Sequence, residues 1–424
     1  MDAVRRTRQC CRTRNDRDLQ RVKGTRQICL AITPETYRQI WDDSAAVRAC
    51  VDAAARENPE LFPAQLCLGY RLTGHLPESA KLPGIRLRQL RLKSGEVYTL
   101  RPSFVLPYMS GLTDQVQYAL RLLAFGVPGW LVAEGFGHNA QYWDRLIERL
   151  GRNSLVGTTV CVPEHLPRHL SADEHHTRWG GEKAFVSLTA GEGCVLGIAL
   201  TKAADDAHLT DAYGTFAREA RQVDPQYTPE TVNTDGWKAT QNAWQTLFPL
   251  VTVILCFLHG FLKIRDRCRK IDLLHQRVWE VYRATTAADF IARMEAFREW
   301  GGRFASWPAL VREAMAKLWN RTSEYARAYD HPGCRRTSNM VDRLTNRLYR
   351  VLYAHRGLHG HQISSELRLR GWALLLNFCP YAPRAGQPRE HQSPAHRLNQ
   401  KRYHECWLQN LMLSASLGGV RTQT

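Results

Sequence analysis

Long apolar runs are scarce in this chain of 424 residues. The best candidate for a membrane span, Leu247–Leu262, is 16 residues long and contains Pro249 and His259, whereas a transmembrane helix needs about 20 apolar residues. The first residues, MDAVRRTRQCCRTR, contain no apolar stretch of the kind found in secretory signal peptides. We therefore expect no membrane partner, and we interpret Leu247–Leu262 as containing a buried strand.

Disulfide and zinc patterns are also missing. The 12 cysteines are scattered, with Cys10 and Cys11 adjacent, and they do not form the framework of a small secreted domain. Cys256 and His259 have the spacing of half a zinc site, but no second pair of the usual kind accompanies them. We expect a reducing, intracellular setting and no structural zinc. Cys256 and His259 are then either ordinary buried side chains or supports of an active site.

Among the charged residues, acidic residues and lysines are scarce. The chain has 40 Asp+Glu against 58 Lys+Arg, a formal net charge of +18 and an isoelectric point near 9.6. Only 10 of the basic residues are lysines, which leaves 48 arginines. The planar fork of arginine suits bidentate contact with phosphate. The composition therefore favours a polyanionic partner, although charge alone would equally suit DNA, RNA or an anionic surface.

The middle of the chain alternates between strand and helix patterns. Strands are predicted where β-branched and apolar residues follow one another, and helices where apolar residues recur at helical spacing. The predicted elements are a strand within His169–Gly181, strands KAFVSLTA and CVLGIALT, a helix over Asp206–Val223, a strand over Val232–Thr234, a helix over Lys238–Leu247 and a strand over Val251–Phe257. This β-β-β-α-β-α-β order is that of the ribonuclease-H-like fold, an α/β fold with a mixed sheet and flanking helices.

Two acidic residues lie where this fold brings strands together. Asp173 is on or just after the first predicted strand, and Asp235 follows the fourth. Carboxylates from these two strands lie side by side in the ribonuclease-H-like fold, at one edge of the sheet, where they can hold divalent metal. Glu174, the next residue in the sequence, is the alternative to Asp173.

A third acid is expected from a later helix, predicted over Thr337–Tyr353. Its apolar stripe at helical spacing consists of Val341, Leu344, Leu348 and Leu352. The residues that can cap its N-terminus are Thr337, Ser338 and Asn339. Asp342 lies about 100° from the start of the stripe, so its carboxylate can reach over the sheet edge. Glu324 and Glu366 are the alternatives for the third acid.

These residues resemble the DDE-type transposases, especially the Mutator-like group and related bacterial insertion-sequence enzymes. The likeness covers roughly Leu170–Tyr381, and it rests on the ordered acids, the Cys256-x-x-His259 pair and the TSNMVDRLTNRL helix. The gaps between successive acids, 61 and 106 residues, also agree. The third acid departs from the family pattern, because the family usually has Glu where this chain has Asp342.

The resemblance implies an enzyme of DNA recombination that is encoded by a mobile element. The catalytic and metal-holding carboxylates would be Asp173, Asp235 and Asp342. The supporting residues would be Cys256, His259 and Asn339. The cofactor would be Mg²⁺, with Mn²⁺ as a substitute, because two such ions about 4 Å apart can activate water or a DNA 3′-hydroxyl and stabilise the leaving oxygen. This chemistry needs no covalent protein nucleophile, so the lack of a Ser/His/Asp signature does not contradict it.

Five parts are expected along the chain. They are a basic mobile arm at 1–30, an N-terminal DNA-binding region at 31–168, a catalytic core at 169–262 and 336–381, an all-helical insertion at 263–335 and a basic, partly ordered tail at 382–424. The implied partners are double-stranded DNA, at the element ends and the target, and further copies of the chain bound to that DNA. The implied location is the cytoplasm, at the nucleoid.

The N-terminal region combines helical and hairpin patterns. A helix is predicted over Tyr37–Ala55, and Ile85–Tyr108 resembles a β-hairpin that turns at Ser94-Gly95. Three further helical patterns follow, at Thr113–Phe125, Pro128–Glu134 and Asn139–Leu150. Their layout resembles a helix-turn-helix, whose last helix reads DNA. That helix would offer Asn139, Gln141, Tyr142 and Arg145 to the bases; a plain helical bundle is the alternative.

From these features we expect a DNA transposase that cleaves and transfers strands at element ends in a metal-dependent reaction. One alternative is a DNA-binding protein that retains the fold but has lost catalysis, which Asp342 in place of Glu favours. A structure-selective nuclease on the same core is the other alternative.

Overall fold

Two β-sheets and many helices build the mixed α/β structure of this chain. The computed structural model describes residues 26–261, 272–303, 307–382 and 393–422. Most of the predicted basic arm therefore lies outside the described residues. Within them we number the strands and the α-helices in chain order.

The first sheet has four strands in the order β1-β4-β3-β2. They are β1 (Gln27–Leu30), β2 (Tyr70–His75), β3 (Arg88–Leu92) and β4 (Val97–Pro102). The predicted hairpin is confirmed as β3 and β4, and Gly95 in its turn has φ +93°, a conformation that glycine adopts readily. β1 pairs in parallel with β4 and buries Ile28 and Leu30 completely. Residues Gln27–Leu30 therefore belong to the sheet, which corrects the prediction that they are part of a mobile arm.

Six helices accompany this sheet and lead to the second one. They are α1 (Pro34–Ile40), α2 (Ser44–Glu57), α3 (Thr113–Ala124), α4 (Gly129–Phe136), α5 (Ala140–Leu150) and α6 (Leu155–Thr159). The helical pattern at Tyr37–Ala55 is divided in two, because the Asp43 carboxylate caps α2 by accepting hydrogen bonds from the N–H groups of Ala45 and Ala46. The three later helical patterns are confirmed as α3, α4 and α5.

The second sheet has five strands in the order β7-β6-β5-β8-β9. They are β5 (His169–Trp179), β6 (Glu182–Gly191), β7 (Cys194–Thr201), β8 (Thr231–Thr234) and β9 (Thr252–Leu255), with α7 (Asp206–Val223) and α8 (Lys238–Leu247) between them. β6 is antiparallel to β5 and β7, whereas β8 and β9 run parallel to β5. The predicted β-β-β-α-β-α-β order is confirmed.

The remaining helices follow β9. They are α9 (Asp272–Tyr282), α10 (Ala287–Gly302), α11 (Ala309–Trp319), α12 (Thr322–Ala326), α13 (Asn339–Ala354), α14 (Gln362–Phe378), α15 (Pro394–Asn399) and α16 (Trp407–Ser414). The described part of the predicted insertion is helical, as expected. None of the helices described is long and apolar enough to cross a membrane, and the central part of the run Leu247–Leu262 forms β9.

Helices cover both faces of the second sheet. Every residue of β7 is buried. Leu196 shares a core with α7 on one face, and Ile198 shares a different core with α14 on the other. The sequence of a strand that is buried on both faces is a nearly continuous apolar run rather than an alternation of apolar and polar residues. CVLGIALT is such a run.

The N-terminal helices belong to the same core as the second sheet. α5 packs directly on α14, where a Cβ atom on Gly371 would lie 2.0 Å from the carbonyl oxygen of Ile147. The Trp372 indole N–H donates to the carbonyl oxygen of Ala124 in α3 at 3.1 Å. Glycine is thus needed for the close approach of these helices, and α3 and α5 are continuous with the core rather than a separate unit.

The C-terminal residues are also part of the core. In α16 the side chains of Leu408, Leu411 and Met412 are fully buried, and the Arg421 guanidinium donates to the carbonyl oxygen of Val160 at 3.2 Å. Residues 393–422 are therefore integrated into the fold, where the sequence predicts a partly ordered tail. Six of the eight residues of α16 are buried, so this helix has no broad polar face and no clear amphipathic period in the sequence.

Candidate catalytic site

The pairing of β5 with β8 places Asp173 and Asp235 level with each other. Ser171 pairs with Asn233 in the parallel register. Asp173 follows Ser171 by two positions within β5, and Asp235 directly follows the last residue of β8. The charge of Asp235 raises the pKa of Asp173, so the two carboxylates are neighbours at the end of β8.

Helix α13 brings Asp342 to the same edge. Its buried stripe, which includes Val341, Leu344 and Leu348, packs on β5 and β6. One turn after Asp342, the Thr345 hydroxyl donates a hydrogen bond to Asp173 Oδ2 at 3.2 Å. The contact joins the helix to the strand beside the carboxylates. It brings the third predicted acid to the other two.

The three carboxylates affect one another electrostatically. Burial raises the pKa of Asp173, and the charges of Asp235 and Asp342 raise it further, although the Thr345 hydrogen bond lowers it. Burial and the charge of Asp235 also raise the pKa of Asp342, against the lowering effects of Ser338 and His259. Three like charges therefore converge at a partly buried edge, where an added cation would relieve their repulsion.

The carboxylate oxygens of the three aspartates suit a hard divalent cation. The three side chains are not, however, arranged as a closed set of metal ligands. Among the residues described, no three His, Cys, Asp or Glu side chains form a group that could hold a metal ion. Each carboxylate instead accepts a hydrogen bond from its own surroundings. Asp235 Oδ1 accepts from the Trp237 N–H, and Asp342 Oδ2 accepts from the Ser338 hydroxyl, both at 2.9 Å. Mg²⁺ is bound in proteins by few carboxylates, several waters and substrate oxygens, and these oxygen donors fit that pattern.

Cys256, His259 and Ser338 form a hydrogen-bonded group behind Asp342. Cys256 directly follows β9, and residues 257–261 begin a helix that carries His259. The Ser338 N–H donates to Cys256 Sγ at 3.2 Å, and His259 Nδ1 lies 3.2 Å from Ser338 Oγ. A hydroxyl has one proton, and the ionised Asp342 can only accept. Ser338 therefore donates to Asp342 and accepts from the Nδ1–H of His259.

This group carries its own charge separation. Burial raises the pKa of Cys256, but the hydrogen bonds from His259 and Ser338 outweigh it, so that the pKa is lowered overall. The hydrogen bond with Cys256 and the charges of Asp342 and Asp235 raise the pKa of His259 to about 9, against desolvation. His259 is thus a cation at neutral pH, placed against the acidic cluster, and its charge acts on Asp342 through the Ser338 hydroxyl.

Sequence reasoning missed the partners of the acids. Asn339, predicted as a supporting residue, is exposed at the start of α13, while Ser338 and Thr345 make the contacts. Ser338 lies four residues before Asp342 and Thr345 three after it, which places all three on neighbouring helix positions. That spacing is the sequence signal which could have identified them.

The alternative acids lie elsewhere. Glu174 points to the opposite face of β5, where it is buried and accepts hydrogen bonds from the hydroxyl groups of Tyr213 and Thr240. Glu324 is in α12, and its Oε2 lies 3.7 Å from Nε of Arg321, the residue directly before that helix. Glu366 accepts a hydrogen bond from Gln362 in α14, at 3.0 Å. Thr345 and Ser338 bind the predicted aspartates and none of these glutamates.

The four residues predicted to read DNA differ in their contacts and in their exposure. Asn139 caps α5 by accepting a hydrogen bond from the Tyr142 N–H at 2.9 Å, and the Tyr142 hydroxyl donates to the carbonyl oxygen of Ser110 at 2.8 Å. Gln141 and Arg145 are exposed. Two of the four side chains therefore have local structural partners, and the DNA-reading role of this helix stays a prediction.

Comparison with known proteins adds no relative. No model of a protein family matches the chain, and no curated protein matches it either.

Proposed function

We propose that this chain is a DDE-type DNA transposase that cleaves and transfers DNA strands at the ends of a mobile element. The observation that carries the proposal is the meeting of Asp173, Asp235 and Asp342 at one sheet edge, where burial and the charge of Asp235 raise the pKa values of Asp173 and Asp342. Titratable groups with pKa values perturbed in this way cluster at functional sites. In this proposal the second sheet is ribonuclease-H-like, because its order, with the second strand antiparallel, follows that pattern.

The aspartates would hold Mg²⁺, or Mn²⁺ in its place. When bound, the ions would activate the attacking hydroxyl or water and stabilise the leaving oxygen at phosphorus. The chain itself orients the ligands: Thr345 holds Asp173, the Trp237 N–H holds Asp235 and Ser338 holds Asp342. The His259 cation offsets the repulsion among the acids before any ion binds. The net charge of +18 and the 48 arginines suit a DNA partner.

Removal of one acid should separate catalysis from binding. Purified full-length protein should nick DNA that carries the sequences flanking its reading frame, in Mg²⁺ or Mn²⁺. Asp235→Asn and Asp342→Asn should each abolish nicking and leave DNA affinity nearly unchanged, because the fold and the basic surface remain. Asp211→Asn, at an exposed position of α7, is the matched control and should nick normally.

The outcome also tests the choice of the third acid. If Asp342→Asn cleaves like wild type while Glu324→Gln or Glu366→Gln does not, the third acid is misassigned. Cleavage without strand transfer would favour a structure-selective nuclease.

The second candidate is a DNA-binding protein without catalysis. One observation favours it: no three potential ligands in the described ranges are placed to hold an ion together. Asp342 is also one methylene shorter than the usual Glu. DNA binding without nicking in either metal would support this candidate over the transposase.

A further inference from the structure

Helix α13 exposes two aromatic side chains beyond Asp342. The side chain of Tyr349 is 52% exposed and that of Tyr353 is 74% exposed, and their ring centroids are 6.1 Å apart. His175 of β5 lies against Tyr349 at 5.9 Å between ring centroids. Neither hydroxyl group has a hydrogen-bond partner among the described residues. Large aromatic faces are thus presented to solvent beside the acidic cluster.

These tyrosines lie on the same stripe of the helix as the third acid. Tyr349 follows Asp342 by seven residues and Tyr353 by eleven. At about 100° per residue, both point within about 20° of the direction of Asp342. At a rise of about 1.5 Å per residue, they lie about 10 and 16 Å further along the helix. The stripe therefore leads directly away from the site.

Arginines form the neighbouring flank of the helix. Arg343, Arg347 and Arg350 follow one another at spacings of four and three residues, and none of them has a salt bridge with an acidic residue in the described part of the chain. Arg347 is half-buried, with its guanidinium 5.8 Å from the ring centroid of Phe125. Burial lowers the pKa of Arg347, and the charges of Arg350 and Arg343 lower it further, against the raising effect of Tyr381. Like charges at such spacings repel within a helix, and a bound polyanion would relieve that repulsion.

We propose that this face of α13 binds unpaired nucleotides of the DNA strand that enters the site, with Tyr349 and Tyr353 stacking on bases and the arginines contacting phosphates. The inference rests on the proposed function for the position of the strand. A positive flank beside exposed aromatic rings is the pattern of single-strand recognition, whereas two copies of an arginine-rich face would repel each other.

The test compares DNA forms on the full-length protein. Tyr349→Ala/Tyr353→Ala should weaken binding of a fluorescent 15-nucleotide single strand by at least about 30-fold, because each of the two stacked bases contributes a factor of about 5 or more to affinity. Binding of the matching duplex and of an abasic strand should change little. Tyr349→Phe/Tyr353→Phe should bind like wild type, since the rings remain. Ile291→Ala, at an apolar side chain that is 38% exposed in α10, is the control and should bind like wild type.

A second pair of variants tests the arginines. Arg343→Gln/Arg350→Gln should reduce the slope of log affinity against log salt by about 0.7 for each phosphate of the single strand that the variant no longer neutralises. Arg312→Gln, an exposed arginine of α11, should leave the slope unchanged. An unaltered slope in the double variant would refute the binding of phosphates by these arginines.

Three results would overturn the proposal. The first is an equal loss of single-strand, duplex and abasic binding in the tyrosine variant; the second is tighter binding of the RNA strand of the same sequence. The third is a changed molecular mass in solution with unchanged DNA affinity, which would mark a protein interface. If the tyrosine variant loses single-strand affinity selectively while the wild-type protein never nicks DNA, this inference stands and the proposed transposase fails.

Discussion

At the scale of single residues, the hydroxyl of Ser338 connects the two halves of the site. It donates to Asp342 and lies within hydrogen-bond distance of both His259 and Cys256. Asp has a shorter side chain than the Glu usual in the resembled family, so its carboxylate depends more on the position of the helix start. Ser338 holds that carboxylate from one turn before.

Loss of the Ser338 hydroxyl should weaken the use of metal. Ser338→Ala should raise the Mg²⁺ concentration needed for half-maximal nicking by about 10- to 100-fold, the usual effect of removing a group that orients a metal ligand. Ser338→Thr keeps a hydroxyl and should recover most of the activity. Ser94→Ala, in the exposed turn between β3 and β4, is the control. An unchanged Mg²⁺ requirement in Ser338→Ala would show that Asp342 needs no such support.

At the scale of elements, β5 directs its two faces to different tasks. Asp173 and His175 face α13, whereas Glu174 faces α7 and α8. Glu174 is 8% exposed and accepts a hydrogen bond from the Thr240 hydroxyl at 2.7 Å. This contact ties β5 to α8, the helix that follows Asp235. One buried acid thus braces the strand that carries Asp173.

The buried position of Glu174 predicts that the stability of the folded protein depends on pH. Burial raises the pKa of Glu174 to about 7, against the lowering effect of Tyr213 and Thr240. The folded state then binds more protons than the unfolded state between the ordinary pKa and about 7, so stability falls as the pH rises through that window. Glu174→Gln stays neutral, so relative to wild type it should gain about 1–3 kcal/mol between pH 4 and pH 8.

Thermal unfolding at both pH values, in a chelator, measures this difference. Contributions from the other titrating groups are shared by both proteins and cancel. Glu134→Gln, an exposed change in α4, should show no such trend. If Glu174→Gln changes stability equally at pH 4 and pH 8, the pKa of Glu174 is the same in the folded and unfolded states and the prediction is wrong.

At the scale of the whole molecule, the N-terminal helices and the second sheet share one core. The Arg370 guanidinium of α14 donates to the carbonyl oxygen of Gly151, after α5, at 3.0 Å. Any DNA held by α5 is therefore held by a body continuous with the acidic site. A fragment that ends before β5 would expose the apolar face of α5, so binding is best measured on the full chain.

Binding of the full chain to duplex DNA should depend strongly on salt. With a net charge of +18, log affinity should fall linearly with log salt, by about 0.9 for each phosphate contact. Arg145→Gln should reduce the slope if α5 contacts the backbone, and Arg312→Gln, at an exposed position of α11, should not. Binding that does not respond to salt would remove the DNA-binding assignment and the main support for a nucleic-acid partner.

The local patterns of the sequence predicted most of the second sheet. β6 is rich in apolar and β-branched residues, β7 is a nearly continuous apolar run, and α13 has a stripe of Val341, Leu344, Leu348 and Leu352, so their type follows from neighbours a few residues away. The ordered aspartates could be named on the same basis, because each lies at the end or beginning of a predictable element. Periodicity is a local property, and these elements needed nothing more.

Tertiary structure alone decided the rest. Whether Asp173 or Glu174 faces α13 depends on which side of β5 that helix covers, and adjacent residues on a strand differ only in that respect. The roles of Ser338 and Thr345 depend on contacts with groups 82 and 172 residues away. β1 and α16 are stable through burial against distant parts of the chain. The sequence by itself determined the order of the elements and the acids at their ends, but long-range packing decided which side chains meet there, because it depends on the positions of whole elements.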